Sequence, residues 1–169
     1  MFGDIDRSRK IAYTAAFIAL ITLGSWISIP FVPVPFTLQT LFVLLAGAVM
    51  KRSAVVPVAL YVLLGALGLP LFHNGLAGAG VLLGPTGGYL IGFIPAALIA
   101  GLAYGHRSGP IRAGGLAAAT LVIYACGVTG LMYSARLDLV PAVIAGALPF
   151  IAGDTVKAGA AYLIAERLP

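Results

Sequence analysis

The chain has a single cysteine among its 169 residues, Cys126. One cysteine excludes a disulfide framework and a Cys-based metal site within one chain. Its place between Ala125 and Gly127, inside an apolar run, makes it filler in helix packing. The two histidines, His73 and His106, fall in different connections without metal-ligand spacing to each other or to Cys126, so both read as loop residues. Three motifs are absent: a G-x-x-x-x-G-K-[ST] phosphate loop, an H-E-x-x-H zinc motif, and a Ser, His and carboxylate set fit to meet as a triad. The chain therefore shows no energy source of its own, and no cofactor or metal is expected. Charge is scarce as well. Only 9% of residues are Asp, Glu, Lys or Arg, against about 25% in ordinary globular domains. No basic patch interleaved with aromatics points to nucleic acid.

Apolar residues fill the space that charge leaves. They make up 61% of the chain, above the roughly 45–50% of a soluble domain, so the solvent is a lipid bilayer and the chain is an all-α integral membrane protein. Its length suits one domain, 1–169. Apolar runs punctuated by Pro, Gly and charge predict six spans: 11–29, 37–50, 54–69, 86–104, 111–133, and a last one beginning between 149 and 154 and ending near 166. Several are shorter than the usual 20 residues or so, which suits helices beside a cavity or a re-entrant loop. A straight span over 139–165 would run to roughly 40 Å, so Pro149 and Gly153 are expected to break it.

With the amino terminus inside, the internal segments hold Arg7, Arg9, Lys10, Lys51, Arg52, Arg107, Arg112 and Arg167, eight of the ten basic residues. The positive-inside rule then puts both termini in the cytoplasm. A signal peptide is not expected, since the first apolar run is too long for an h-region and a Pro-rich segment follows it. The external connections are PFVPVPF at 30–36, PLFHNGLAGAGVLLGP at 70–85, and 134–152. They are mostly apolar and rich in Gly and Pro, and they read as lids or re-entrant segments folded over the outer helix ends.

Asp154 and Lys157 stand three residues apart in an otherwise apolar or small run, so they share one helical face. Each carries a desolvation penalty of roughly 2.5–3.5 kcal/mol at a bilayer centre and needs a partner, a cavity or a ligand. Mutual neutralisation is one answer and a polar solute site is another. The second, fourth and sixth spans all start on the outer side, carrying Thr37, Gln39 and Thr40; Thr86 and Tyr89; and Asp154 and Lys157. Helix amino termini present free N–H groups and partial positive charge. Three converging on a cavity, with Lys157 added, favour a ligand with an anionic group or a carbonyl. Capping explains Thr37, Thr86 and Asp154 equally well, but neither Gln39 nor Lys157.

The strings PFTLQTLFVLLAG (35–47), YVLLGALGLPLF (61–72), LLGPTGGYLIGF (82–93) and LPFIAGDTVKA (148–158) carry a resemblance through nearly the whole chain. They resemble the BioY family, the biotin-binding S components of energy-coupling-factor (ECF) transporters. Ala152 departs from the pattern, which usually has Pro before the Gly-Asp. The resemblance implies a six-helix, multi-pass protein of the prokaryotic plasma membrane. It would be no enzyme, and would capture biotin in an outward-opening cavity closed by its first and third outer segments. Matched to the family, the biotin-binding residues are Asn74, Asp154 and Lys157 first, then Gln39, Tyr89, Thr86 and Trp26. Asp154 would accept ureido N–H bonds, and Asn74 would donate and accept around the same head group. Trp26 also suits a membrane-interface anchor.

On the first span, Ala12, Ala15, Ala16 and Ala19 form overlapping small-xxx-small patterns that permit close helix approach. Packing within the chain is the ordinary use of such a stripe. The resemblance implies docking of a transmembrane coupling protein instead, with two ABC-type ATPases supplying energy and the S component reorienting to release the vitamin inside. Two other classes fit the residues less fully: a small intramembrane enzyme using Asp154 and Lys157 as acid and base on a lipid-like substrate, and a structural membrane subunit.

Overall fold

The computed structural model describes residues 2–168, and the side chains from Arg7 onward. Its helices are α1 (Phe2–Trp26), α2 (Gln39–Met50), α3 (Val55–Ala66), α4 (Ala79–Leu82), α5 (Gly87–Ala103), α6 (Gly109–Ala135), α7 (Leu139–Gly146) and α8 (Ile151–Arg167). Short 3-10 turns cover Lys51–Ala54, His73–Gly75 and Leu148–Phe150. The small strands β1 (Ser28–Ile29) and β2 (Phe36–Thr37) pair antiparallel, with Ser28 opposite Thr37. The fold is an all-α membrane bundle in which α1, α2, α3, α5, α6 and α8 correspond to the six expected spans. Its outer surface is apolar where lipid tails would lie: Leu23, Val56, Leu63, Ile91, Leu121, Val156 and Leu163 are all exposed.

Two apolar runs long enough to cross a membrane are not single rods. Residues Gln39–Ala66 and Leu139–Arg167 each satisfy length and composition. In the first, Lys51 takes φ 53°, and Gln39 and Tyr61 meet at 2.6 Å. Twenty-two residues of straight helix would hold them about 33 Å apart, so α2 and α3 form a hairpin. In the second, Ala147 leaves the helical region with φ −126° and ψ −52°, and Leu148–Phe150 forms a tighter turn before α8. The break therefore falls at 147–150. Gly153, expected to contribute to it, lies inside α8; a Cβ there would stand 2.3 Å from the Phe36 ring. Its missing side chain makes room for that ring.

Elsewhere the core is held by tight helix contacts and a few ties. Helices α5 and α6 approach backbone to backbone at Gly88 and Gly130: a Cβ on Gly130 would lie 2.7 Å from the Gly88 Cα. Cys126 packs at the same seam, facing Gly92. Arg9, Lys10, the Lys51–Ala54 turn and His106 line grooves at one end of the bundle. There Arg112 bridges α6 to Glu166 on α8 at 2.6 Å. That pair is part exposed and contributes no more than about 1 kcal/mol. The segments expected on the outer side cover the opposite end. The Leu71 carbonyl accepts from Ser25 on α1 at 2.7 Å and from Tyr61 on α3 at 3.0 Å. The third of these segments, expected as a lid or re-entrant segment, contains α7, which packs on α6 with Ala142 fully buried.

Candidate solute-binding cavity

The starts of α2, α5 and α8, expected on the outer side, line one cavity of about 510 Å³, mouth included. Gln39 and Thr40 come from α2, Thr86 and Tyr89 from the head of α5, and Asp154 and Lys157 from the first two turns of α8. Phe93, Ile123 and Phe150 make apolar walls, while Val34, Pro35, Phe36 and Thr37 form a cover from the first outer segment. Capping does not account for Thr86 or Asp154, although Thr37 Oγ1 accepts from the Gln39 backbone N–H at 3.4 Å at the start of α2. The position before α2 is Leu38, the position before α8 is Phe150, and Thr86 before α5 makes no side-chain cap bond. Asp154 is the fourth residue of α8, inside the helix. Ala152 continues the first turn.

Asp154 and Lys157 are 4% and 6% exposed, so neither is left to water and both must be matched by protein. Lys157 Nζ donates to Asp154 Oδ1 at 2.8 Å and to the Thr37 carbonyl. It also stands 3.6 Å from the centroid of the Phe36 ring, a cation–π contact strengthened by desolvation. An ammonium has three donors; two are engaged and the Phe36 face takes up much of the remaining space. Tyr124 on α6 donates to Asp154 Oδ2 at 2.7 Å. The carboxylate, with about four lone-pair sites, keeps acceptor capacity that the lysine does not match in donors. The pair is locally neutral and rigid, an N–H-accepting group held in place by α6 and by the cover.

Neighbouring polar groups are tied in the same way. Gln39 Nε2 donates to the Tyr61 hydroxyl at 2.6 Å, and Thr37 Oγ1 donates to Gln39 Oε1 at 3.0 Å. Tyr89 donates to the Gly146 carbonyl at 2.6 Å, and its ring rests on Gly127, where a Cβ would come within 2.2 Å. The cover is clasped by aromatics: Phe36 stacks on Phe150 with centroids 6.1 Å apart, and Phe31 meets the same ring edge-on at 6.1 Å.

Five of the seven expected ligand residues thus line the cavity: Asp154, Lys157, Gln39, Tyr89 and Thr86. The structure does not bring the other two into the lining. Asn74 is exposed at φ 56°, its side-chain oxygen accepting from Ser28 at 3.0 Å across the two outer segments. Trp26 is 52% exposed at the end of α1. Sequence reasoning missed two polar lining residues. Tyr124 sits in the middle of an apolar span; the only available signal was the need of a buried carboxylate for a second donor. His73, read as a loop residue, is in a loop and also lines the cavity, with Nε2 3.4 Å from Thr86 Oγ1. Burial holds its imidazole pKa below the usual value. On α1, Ala12, Ala15, Ala16 and Ala19 are all exposed, whereas Phe17 and Ile21 face the core.

A multi-pass helical membrane protein with a covered polar cavity among converging helix starts is the class that this fold and cavity define. Comparison with known proteins narrows it. The chain belongs to the BioY family, whose model matches residues 3–169. It is 46% identical over 163 residues to the biotin transporter BioY of Thermotoga maritima, covering 95% of each chain. It is 43% identical to a probable biotin transporter BioY of Pyrococcus horikoshii, covering 96% of this chain and 97% of that one. The crystal structure of an S-component for biotin from an ECF-type ABC transporter superposes with a TM-score of 0.87 at 25% identity, over 96% of this chain and 91% of that chain. These relatives are named as transporters and not as enzymes.

Proposed function

We propose that this protein is the high-affinity biotin-binding subunit of a vitamin uptake transporter. It captures biotin in the covered cavity and delivers it inward together with an ATP-driven energy-coupling module. The observation that carries the reading is the buried Asp154–Lys157 pair lining that cavity, in a chain similar throughout to biotin transporters. The carboxylate, held by Lys157 and Tyr124, accepts the ureido N–H groups of biotin, charge-assisted bonds of about 1.5–3 kcal/mol each. Phe93, Ile123 and Phe150 pack on the apolar, sulfur-containing ring. Gln39, Tyr89 and Thr86 complete the polar contacts. Asn74 acts from the rim and not at the head group, and Trp26 anchors the outer end of α1 in the membrane interface.

The basic end of the bundle faces the cytoplasm with both termini, and the cavity opens outward. By resemblance to the S components of ECF transporters, the module comprises a transmembrane coupling protein and two ABC-type ATPases. Exposure of Ala12, Ala15, Ala16 and Ala19 supports their use as the docking stripe and not as an internal seam. Equilibrium binding of the purified protein to a panel of water-soluble vitamins tests the reading. Saturable binding of biotin, recovered chemically unchanged, is the expected result. Absence of biotin binding by folded protein refutes it.

A further inference from the structure

The cavity has a charge problem that the Asp154–Lys157 pair does not solve. Biotin, on the reading above, brings one carboxylate at the end of its valerate tail. The titratable groups around the cavity are Tyr89 on α5, Tyr124 on α6, Asp154 and Lys157 on α8, and His73 in the second outer segment, with Tyr61 of α3 just behind Gln39. The outer turns of α1, against which the His73 turn packs, offer Thr22, Ser25 and Trp26, none of them titratable near neutral pH. Helix α4 and the two strands offer none. Lys157 is neutralised by Asp154, and its donors go to that carboxylate and to Thr37. An anion entering this space meets the partial positive ends of three helices but no unpaired cationic side chain among the described residues, and burying an anion without a full counter-charge is unfavourable.

His73 can resolve this. It is the one cavity-lining side chain whose ordinary titration lies near physiological pH. One ring nitrogen is near a hydroxyl, Nε2 at 3.4 Å from Thr86 Oγ1. The other, Nδ1, is buried and has no hydrogen-bond partner among the described residues. Buried polar atoms are nearly always satisfied, so this one calls for an explanation. Depth also fits. Thr86 immediately precedes α5, while Asp154 and Lys157 sit about one and two turns into α8. The two polar ends of an elongated ligand would be read at different levels.

We infer that His73 receives the ligand's carboxylate, taking up a proton from the outer aqueous phase as biotin binds, and so makes capture pH-dependent. In the free protein, burial biases the imidazole toward its neutral form. In the complex the adjacent anion raises its pKa, and both ring nitrogens become donors, one toward Thr86 and one toward the carboxylate. The added affinity is fully present below the free pKa and is lost as pH rises through the pKa of the complex.

The test measures dissociation constants from pH 5.5 to 8.5 for biotin and for biotinamide, whose tail is neutral, with the wild type and with His73→Gln. For the wild type, biotin affinity should fall by about tenfold across that range while biotinamide affinity stays flat. His73→Gln should flatten the biotin profile. Calorimetry in buffers of different ionisation enthalpy should show proton uptake with biotin and not with biotinamide. Should the variant fail to fold, the two-ligand comparison on the wild type still decides. Equal slopes for the two ligands, or a His73→Gln protein that keeps the wild-type slope, would overturn the inference and leave the biotin reading standing. A wild type that binds neither ligand overturns the biotin reading, and this inference with it.

Discussion

Removing one member of the buried pair should damage stability and binding in ways that can be separated. Asp154 and Lys157 are both nearly inaccessible and 2.8 Å apart. Asp154→Asn leaves an ammonium in the bundle without a counter-charge, facing a neutral amide, the Thr37 carbonyl and the Phe36 ring, while Lys157→Met leaves a carboxylate with only Tyr124 among the described residues. Stranding one buried charge is destabilising by about 3–5 kcal/mol, whereas replacing both charges is often close to neutral. The double variant should therefore be more stable than the sum of the singles, by about 2 kcal/mol or more, and thermal unfolding in detergent reads this. Biotin binding should follow another rule. Each variant that loses the carboxylate gives up at least one charge-assisted acceptor, about 1.4 kcal/mol or more, so affinity falls at least tenfold. The double variant should regain stability without regaining affinity. Additive stability effects would refute the coupled pair, and unchanged affinity in folded Asp154→Asn and Lys157→Met would remove the pair from the site.

Three further outcomes are expected. Desthiobiotin, which keeps both ureido nitrogens, should compete against labelled biotin in detergent and in lipid, while thiamine and riboflavin should not, because they leave buried polar groups unpaired; equal competition by thiamine would sink the head-group contacts. Ala16→Trp adds bulk to an exposed stripe, so the isolated protein should bind biotin normally while transporter assembly or ATP-driven uptake fails. Loss of binding along with assembly would mark the stripe as internal packing. Gly153→Ala puts a methyl 2.3 Å from the Phe36 ring and should push the cover off Phe150, raising the biotin dissociation rate severalfold; a rate equal to wild type would show that Phe36 does not hold the cover shut.

What the sequence by itself determined is local or compositional. Hydrophobic content chose the solvent, and Pro, Gly and charge punctuated the six spans. Helical periodicity put Asp154 and Lys157 on one face, because an i,i+3 pair is decided by the geometry of a single helix. The tertiary structure decided what distant segments do to each other. Tyr124 reaches Asp154 across 30 residues, and the Thr37 carbonyl reaches Lys157 across 120. Neither contact leaves a periodic trace, since a tyrosine in an apolar span reads as one more large side chain. The end of α1 is similar. Sequence placed Trp26 among the ligand residues, and the rotation of α1 turned it outward while Ser25, its neighbour, was buried against Leu71. His73 and Asn74 are adjacent in sequence, yet a residue at φ 56° carries Asn74 toward Ser28 while His73 lines the cavity. In a loop without repeating geometry, the direction of each side chain depends on the surface on which the loop settles, and that surface is built from other parts of the chain.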